Sequence, residues 1–405
     1  MSPQKSVLSF TQAVKASPKQ VYRAFTNATA LREWLSDDAS AMAKPGGRLY
    51  LWWNDGYYTS GEYEHVEPEK AVSFTWRGRN DPATTQVKIT LSQQDQDTLV
   101  SLEHGGLGGD EDWKETREEI EKGWKISLEN LASVLESGED LRFIRRPMLG
   151  ITLDDFNTEI AKKLGVPVTE GIRVDGVVEG MGAEAAGLKQ EDVLVGLAGM
   201  EVTDWSSLTN ALQGQQAGNT IEVAYYRGSE KQSVMMELSH RPLPEIPDTP
   251  EKLAKAAEQK YTNMENDLDN LFAGLTEEKA SFKPAPDAWS VKEILAHLIH
   301  YERSWHTWMN DLVSGFEPWY DGFGGNLQGR VEATVAAYST MAELREELRR
   351  NCDETTAFLA RLPEDFQARK GSYWRLAYNM VDEPYHFNLH LDQMRSAIEA
   401  ARENE

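Results

Sequence analysis

Apolar residues in the first third of the chain come in short runs. GRLYLWW, AVSFTWRG, TQVKITLS and TLVSLEHG are β-branched or aromatic, and Gly, Pro, Asp and Asn separate them. That is the pattern of strands joined by turns. The period then changes. In EDWKETREEIEKGWKISLENLASVLES, residues Trp113, Ile120, Trp124, Leu128, Leu131 and Leu135 recur at helical spacing. The acidic first turns suit a helix N-terminus, and Gly138 stands where a stop is expected.

A second texture runs from about 145 to 243. Short strands and two small helices are predicted, punctuated by GVPVTEG, GMGAEAAGLK and LQGQQAGNT. The proline-dense stretch RPLPEIPDTP cannot continue a helix and reads as a stiff linker. Proteolysis there is expected to release a C-terminal body beginning near residue 249. From Thr249 onward the pattern is amphipathic and helical in four long stretches, a bundle signature. Pro384 should mark a kink or a helix start nearby. The predicted class is multidomain α+β, with domains at 1–140, 145–243 and 249–402.

Length and charge narrow the picture. A chain of 405 residues exceeds one ordinary core. A net charge of −24 without any basic run argues against a nucleic-acid partner. The one cysteine, Cys352, cannot form an internal disulfide and reads as a helix residue without redox role. The start MSPQKSVLSFTQAV lacks a signal-peptide core, and no apolar run is long enough to span a membrane. Cytoplasmic residence without membrane association is the expectation.

The first segment carries ASPKQVYRAFTNATALREWL, GGRLYLWW, a Gly-Glu-Tyr segment, VEPEKAVSFTW and a GW-containing last helix. In Pro18, Val21, Phe25, Trp34, Gly46, Gly47, Gly61, Pro68, Phe74, Trp76, Gly123 and Trp124 it resembles the START-like (SRPBCC) superfamily. Within that superfamily it is most similar to the activator of heat-shock-protein-90 ATPase homologue family. The resemblance implies a helix-grip fold: a curved antiparallel sheet around a long helix, enclosing a cavity for a small hydrophobic ligand. In some branches the partner is a chaperone. The aromatic set Trp34, Trp52, Trp53, Tyr57, Tyr58 and Trp76 suits a cavity lining, or simply fills the core. The lining is assigned to Trp34, Trp52, Tyr58, Trp76 and Trp124. His65 and His104 are isolated, and no nucleophile–base pair is visible.

The second segment, with MLGI at 148 to 151, GIRVDGVVEG, AAGLKQEDVLVGLAGMEV and WSSLTNAL, is similar to PDZ domains of the HtrA-protease type. The resemblance implies a β-barrel-like domain with a groove between an edge strand and a helix. The strand around Ile151 would pair with an extended peptide. Backbone N–H groups of Leu149, Gly150 and Ile151 would take its terminal carboxylate. Leu208 and Leu212, four apart on the helix, would face the groove. The expected partner is a peptide or protein C-terminus with an apolar last residue.

The last segment carries the sharpest chemical signal. His386 and His390 are four apart, so on a helix they stand about 6 Å apart on one face. His297 shares an apolar helical face with Ile294, Tyr301 and Trp305. His300 shares one with Glu293, Arg303 and Thr307, which reads as solvated. Trp289–Ser290, His297–Leu298 and the H-x-x-x-H-x-x-Q run at His386, His390 and Gln393 resemble the DinB-like family of four-helix bundles. That resemblance implies a divalent metal on His297, His386 and His390, with an open coordination position. His300, His306 and the loop EPWYDGFGGN depart from the family pattern. Zinc suits such a donor set first, while nickel, manganese or iron also fit. Asp382, one turn before His386, is expected to orient it. The catalytic residues are not assigned. Some relatives are thiol-dependent transferases, so one expected function is a metal-dependent transferase or hydrolase. The other is a non-enzymatic adaptor or chaperone-associated stress protein.

Overall fold

A computed structural model describes residues 6–318 and 327–404. Residues 319–326, most of the EPWYDGFGGN loop, lie outside the described residues. The described chain forms two compact units. One joins residues 1–140 to 244–405, and the other is the intervening 141–243.

In the first unit the strands are β1 (Ser6–Val14), β2 (Asp38–Ala41), β3 (Arg48–Trp52), β4 (Tyr58–Glu67), β5 (Ala71–Gly78), β6 (Thr85–Gln94) and β7 (Asp97–Leu107). They form one antiparallel sheet in the order β1-β7-β6-β5-β4-β3-β2. Alternation decides its faces: along β6, Val87, Ile89 and Leu91 are buried while Gln86, Lys88 and Thr90 are exposed. Two short helices, α1 (Pro18–Thr26) and α2 (Ala28–Trp34), follow β1. Ser17 and Gln20 close a reciprocal capping box on α1, with Pro18 in its first turn. The long α3 (Lys114–Glu136) packs Ile120, Trp124, Leu128 and Leu131 into the core that the sheet curves around. It stops just before Gly138.

The C-terminal part of this unit is helical: α4 (Pro250–Leu271), α5 (Val291–Ser314), α6 (Leu327–Ala337), α7 (Met341–Leu359), α8 (Lys370–Val381) and α9 (His386–Glu403). Ser290 and Glu293 form a capping box that starts α5, and Gly315 in the left-handed conformation ends it. The last predicted helix is in fact two, α8 and α9, with Pro384 in the break between them. A shared core including Leu253, Ile294, Leu298, Leu348, Leu376 and Phe387 holds the bundle.

The bundle does not stand apart from the sheet. Helix α8 packs on α2 and α3. The Ser372 hydroxyl donates to the buried Glu33 carboxylate. Arg375 makes a bidentate pair with Glu317, at 2.9 and 3.0 Å. The Glu317 N–H in turn donates to Thr29 Oγ1 at 3.2 Å. Release of the bundle as a separate body, expected from the linker, meets this polar and packed interface.

The second unit holds β8 (Ile151–Asp154), β9 (Ile172–Val177), β10 (Val193–Leu197), β11 (Met200–Glu201), β12 (Thr220–Arg227) and β13 (Glu230–Glu237). Their order is β13-β12-β10-β9-β8, with β11 on β10, so β8 is an edge strand. The helix α10 (Trp205–Leu212) is capped by Asp204, whose side chain accepts from the Ser207 N–H.

Among the described residues no helix is long and apolar enough to cross a membrane.

Candidate metal centre and binding sites

Helix α5 is held by its capping box and by Ile294, Leu298 and Ile299, all buried. That rotation turns His297 toward the start of α9, where His386 is the first residue and His390 lies one turn on. His297 Nε2 lies 2.9 Å from His386 Nε2, and His390 Nε2 lies 3.2 Å from His386 Nε2. One ligating nitrogen from each ring falls within 4.8 Å of the others, so the three could hold a metal ion. Nitrogens bonded to a tetrahedral ion at about 2.0–2.1 Å stand roughly 3.3 Å apart, close to these separations. The donor set therefore fits a divalent metal of zinc size.

The surroundings aim these rings and disfavour a charge on His297 and His386. Gln393 Oε1 lies 2.8 Å from His390 Nδ1, which holds the proton there and leaves Nε2 as the donor. Tyr301 stacks on His386 at 4.1 Å, and Trp289 packs on His297 at 4.9 Å. Burial, then repulsion from His390 and His386, lowers His297 to about 4. Burial, then His390, lowers His386 to about 4. Neutral imidazole is the coordinating form.

Two sequence expectations need correction here. The His300 face is only partly solvated: α6 half-buries His300, while Thr307 stays exposed. His300 Nε2 contacts the Arg330 carbonyl at 3.0 Å and Thr334 Oγ1 at 2.8 Å, and Glu293 beside it is buried. Asp382 is not one helical turn before His386. It caps the C-terminus of α8, beyond the break at Pro384, so the expected orienting contact from a shared helix does not form. The orienting side chain is Gln393, on His390. His306 is committed to the Asn351 carbonyl and Thr355 Oγ1, at 3.1 and 2.8 Å. Cys352 is buried, and burial pushes its thiol up, away from reactivity.

In the second unit, Leu149, Ile151, Leu208 and Leu212 meet in one apolar cluster. Leu149 and Leu208 are closed into the core at 7% and 4% exposure, which leaves Ile151 and Leu212 half-buried beside the β8 edge. Trp205 Nε1–H donates to Asp155 Oδ1 at 3.2 Å, tying the start of α10 to the end of β8. Gly150 is required: its φ is +77°, and a Cβ there would stand 2.4 Å from Met181 Cβ.

In the first unit, a cavity of about 350 Å³ opens between α3 and the sheet. Trp76 and Trp124 line it, with Trp53, Tyr57 and Ile120. Trp34, Trp52 and Tyr58, assigned to it from the sequence, do not. Trp34 is core, donating Nε1–H to the Ala24 carbonyl at 2.9 Å. Trp52 and Tyr58 are directly opposed across β3 and β4, and so share a face with Tyr50. Tyr58 stacks on Tyr50 outside, at 40% exposure, while Leu49 and Leu51 point in. His104 is fully buried behind the cavity, where Trp124 Nε1–H donates to its Nδ1 at 2.9 Å.

Three family models divide the chain between them. The Activator of Hsp90 ATPase homolog 1-like family matches residues 15–136. The PDZ domain matches 147–238, and the DinB superfamily 260–393. Among curated proteins, the Serine protease Do-like HtrA of Lactococcus lactis is 31% identical over 122 residues, which cover 29% of this chain and 30% of that protein. A probable periplasmic serine endoprotease DegP-like protein of Chlamydia trachomatis is 37% identical over 84 residues, 21% of this chain and 17% of its own. The chain thus spans under a third of the length of these relatives. Among solved structures, protein MLL2253 from Mesorhizobium loti is 24% identical, covering 32% of this chain and 97% of that one, with a TM-score of 0.30. The Aha1 dimer from Colwellia psychrerythraea is 22% identical, covering 32% and 96%, also with a TM-score of 0.30.

Within the DinB segment, the feature that sequence reasoning missed is Glu302. It is 2% exposed and accepts from the Tyr385 hydroxyl, from Tyr261 at 3.0 Å and from Thr355 at 3.2 Å. Burial pushes its carboxyl up, while the tyrosine hydrogen bonds pull it back. Tyr385 directly precedes His386, so this network is anchored at the histidine cluster. An acid on an amphipathic helix defaults to solvent in a sequence reading. The usable signal was the apolar face it shares with Leu298 and Ile299, one turn away.

Proposed function

We propose that the DinB segment holds one divalent metal on His297, His386 and His390 and is the catalytic part of a transferase or hydrolase, thiol-dependent in the transferase case. The convergence of three imidazole nitrogens from two helices carries this reading. The ion, with zinc as first candidate, would act as a Lewis acid on a substrate oxygen or thiol sulfur. The chain's own residues do the positioning. Gln393 holds the His390 tautomer, and Tyr301 and Trp289 fix the planes of the His386 and His297 rings. The Tyr385–Glu302–Tyr261 network offers a place to hold a proton beside the cluster. The PDZ segment would recruit a peptide with an apolar C-terminus, and the first segment a small ligand. A cytoplasmic setting belongs to the same reading, supported by a lone buried thiol that needs no oxidising compartment.

Elemental analysis of the full chain, purified without chelator, tests the centre. About one ion per chain is expected, lost in His386→Ala and His390→Ala with helicity retained, and kept in His300→Ala. No ion after purification, nor after reconstitution with zinc, nickel, manganese or ferrous iron, removes the proposal. Turnover with a panel of low-molecular-weight thiols then separates enzyme from scaffold. A second reading, an adaptor without turnover, is favoured by the β8 edge, which offers a strand for an incoming peptide to extend.

A further inference from the structure

The cavity in the first unit has an unusual wall for an apolar-ligand site. One side is aromatic. Trp53, Tyr57, Trp76 and Trp124 follow one another with ring centroids 5.2, 6.4 and 5.5 Å apart for the pairs Trp53–Tyr57, Trp53–Trp76 and Trp76–Trp124. With interplanar angles of 50°, 52° and 54°, the rings are tilted against one another and not stacked. The lining is also acidic. Asp55, Asp81 and Glu119 line the same space, from the β3–β4 turn, the β5–β6 turn and α3. No lysine, arginine or histidine is among the lining residues. Of the basic groups close by, Arg79 donates to the Gly56 carbonyl at 2.9 Å, Arg77 is exposed, and His104, behind Trp76 and Trp124, is held at about 4 by burial.

Each part selects for positive charge. Ring faces carry negative electrostatic potential and attract cations, most strongly at tryptophan. Asp81 is only 6% exposed, and its Oδ2 accepts from the Gly78 N–H at 2.7 Å. Gly78 makes room for this acid beside Tyr57. A Cβ on Gly78 would stand 2.2 Å from the Tyr57 hydroxyl and 2.8 Å from Asp81 Oδ2. Burial pushes the Asp81 carboxyl up, with the Gly78 N–H and Arg77 offsetting it only in part. Burial, then Asp81, Glu119 and Asp55, pushes the Tyr57 phenol up to about 12. All three carboxylates thus act on one point inside the cavity. A neutral apolar ligand gains nothing from these acids, and an anion would be repelled.

We propose that this cavity binds a small organic cation: an ammonium or quaternary ammonium group on an apolar or aromatic body, with the charge between the acids and the ring faces. The volume of about 350 Å³ suits one small molecule, not a lipid or a protein segment.

The test uses the full chain and two probes of nearly the same shape. Benzyltrimethylammonium carries the charge, and neopentylbenzene replaces its nitrogen by carbon. Tryptophan fluorescence and calorimetry read binding. The cation is expected to bind about tenfold tighter or more, and to weaken as salt is raised. Glu119→Gln, an exposed change on α3 that leaves the fold intact, should weaken the cation several-fold and leave the neutral probe unchanged. Asp81→Asn should do the same, with circular dichroism checking its turn. Neopentylbenzene binding as tightly as the cation, no cation binding at millimolar concentration, or a cation affinity indifferent to Glu119→Gln would each overturn the proposal.

Discussion

Replacing Arg375 by Met tests the buried charge cluster where the last segment meets the first: Arg375 pairs with Glu317 of its own segment and acts on Glu33 of the first. The guanidinium is 28% exposed, and its partner Glu317 is 5% exposed. Glu33, fully buried nearby, feels the same charge. Met keeps the apolar stem of the side chain but leaves both carboxylates without Arg375, so the loss is electrostatic and not a cavity. Breaking a buried pair costs about 3–5 kcal/mol and an exposed one about 0–1, so a partly buried pair should cost roughly 2–4 kcal/mol. That corresponds to a Tm drop on the order of 3–6 °C for a unit of this size. The cost must also depend on pH. Burial already pushes the Glu33 carboxyl up, with Arg23 and Arg375 pulling it back, so losing Arg375 raises it further. A carboxyl raised in the folded state keeps its contribution at acid pH and loses it as pH rises through the folded value. The deficit of Arg375→Met should therefore be small near pH 4 and full at pH 8. Thermal unfolding followed by circular dichroism at both pH values reads this. A Tm within 1–2 °C of the parent at pH 8, or a deficit that grows toward acid, refutes the reasoning.

Four further outcomes can be measured. Protease nicking on both sides of the 141–243 unit should leave residues 1–140 and 244–405 eluting together in size exclusion; separate elution would mean that the interface does not hold them. His104, held at about 4 by burial against about 6.5 unfolded, refuses a proton that the unfolded chain takes. Stability should thus fall between pH 6.5 and 4 by up to about 3 kcal/mol on its account, and an undiminished slope in His104→Gln would count against this. In the PDZ segment, amidating the C-terminus of an apolar-ended peptide should cost roughly 1.5–3 kcal/mol of binding, and equal affinity for both forms would reject the carboxylate assignment. Gly150→Ala should weaken the same peptide by forcing a side chain against Met181.

Periodicity along the chain was enough to mark the strands, the α3 face of Ile120, Trp124 and Leu128, the start of α5 at Ser290 and the four-residue step from His386 to His390. All of these depend on residues near one another in sequence, where backbone geometry sets the spacing. The inward turn of His297 was also legible, because Ile294, Tyr301 and Trp305 stand on its face. What could not be read is which distant surface covers which face. The His300 side looks solvated, yet α6 half-buries it. Glu302 looks solvated, yet Tyr261, Thr355 and Tyr385 enclose it from other helices. Tyr58 looks like cavity lining, but strand register turns it outward, while the turn after Trp52 brings Trp53 and Tyr57 inside. The acids that join them come from segments up to about sixty residues apart. The union of the first and last segments was the least visible of all, since a hundred residues of another unit separate them in sequence. Only the folded interface brings Glu33 to Ser372 and Thr29 to the Glu317 N–H. Local sequence determines what each element is, and long-range burial decides which elements meet, because the energy of meeting depends on surfaces that no local pattern encodes.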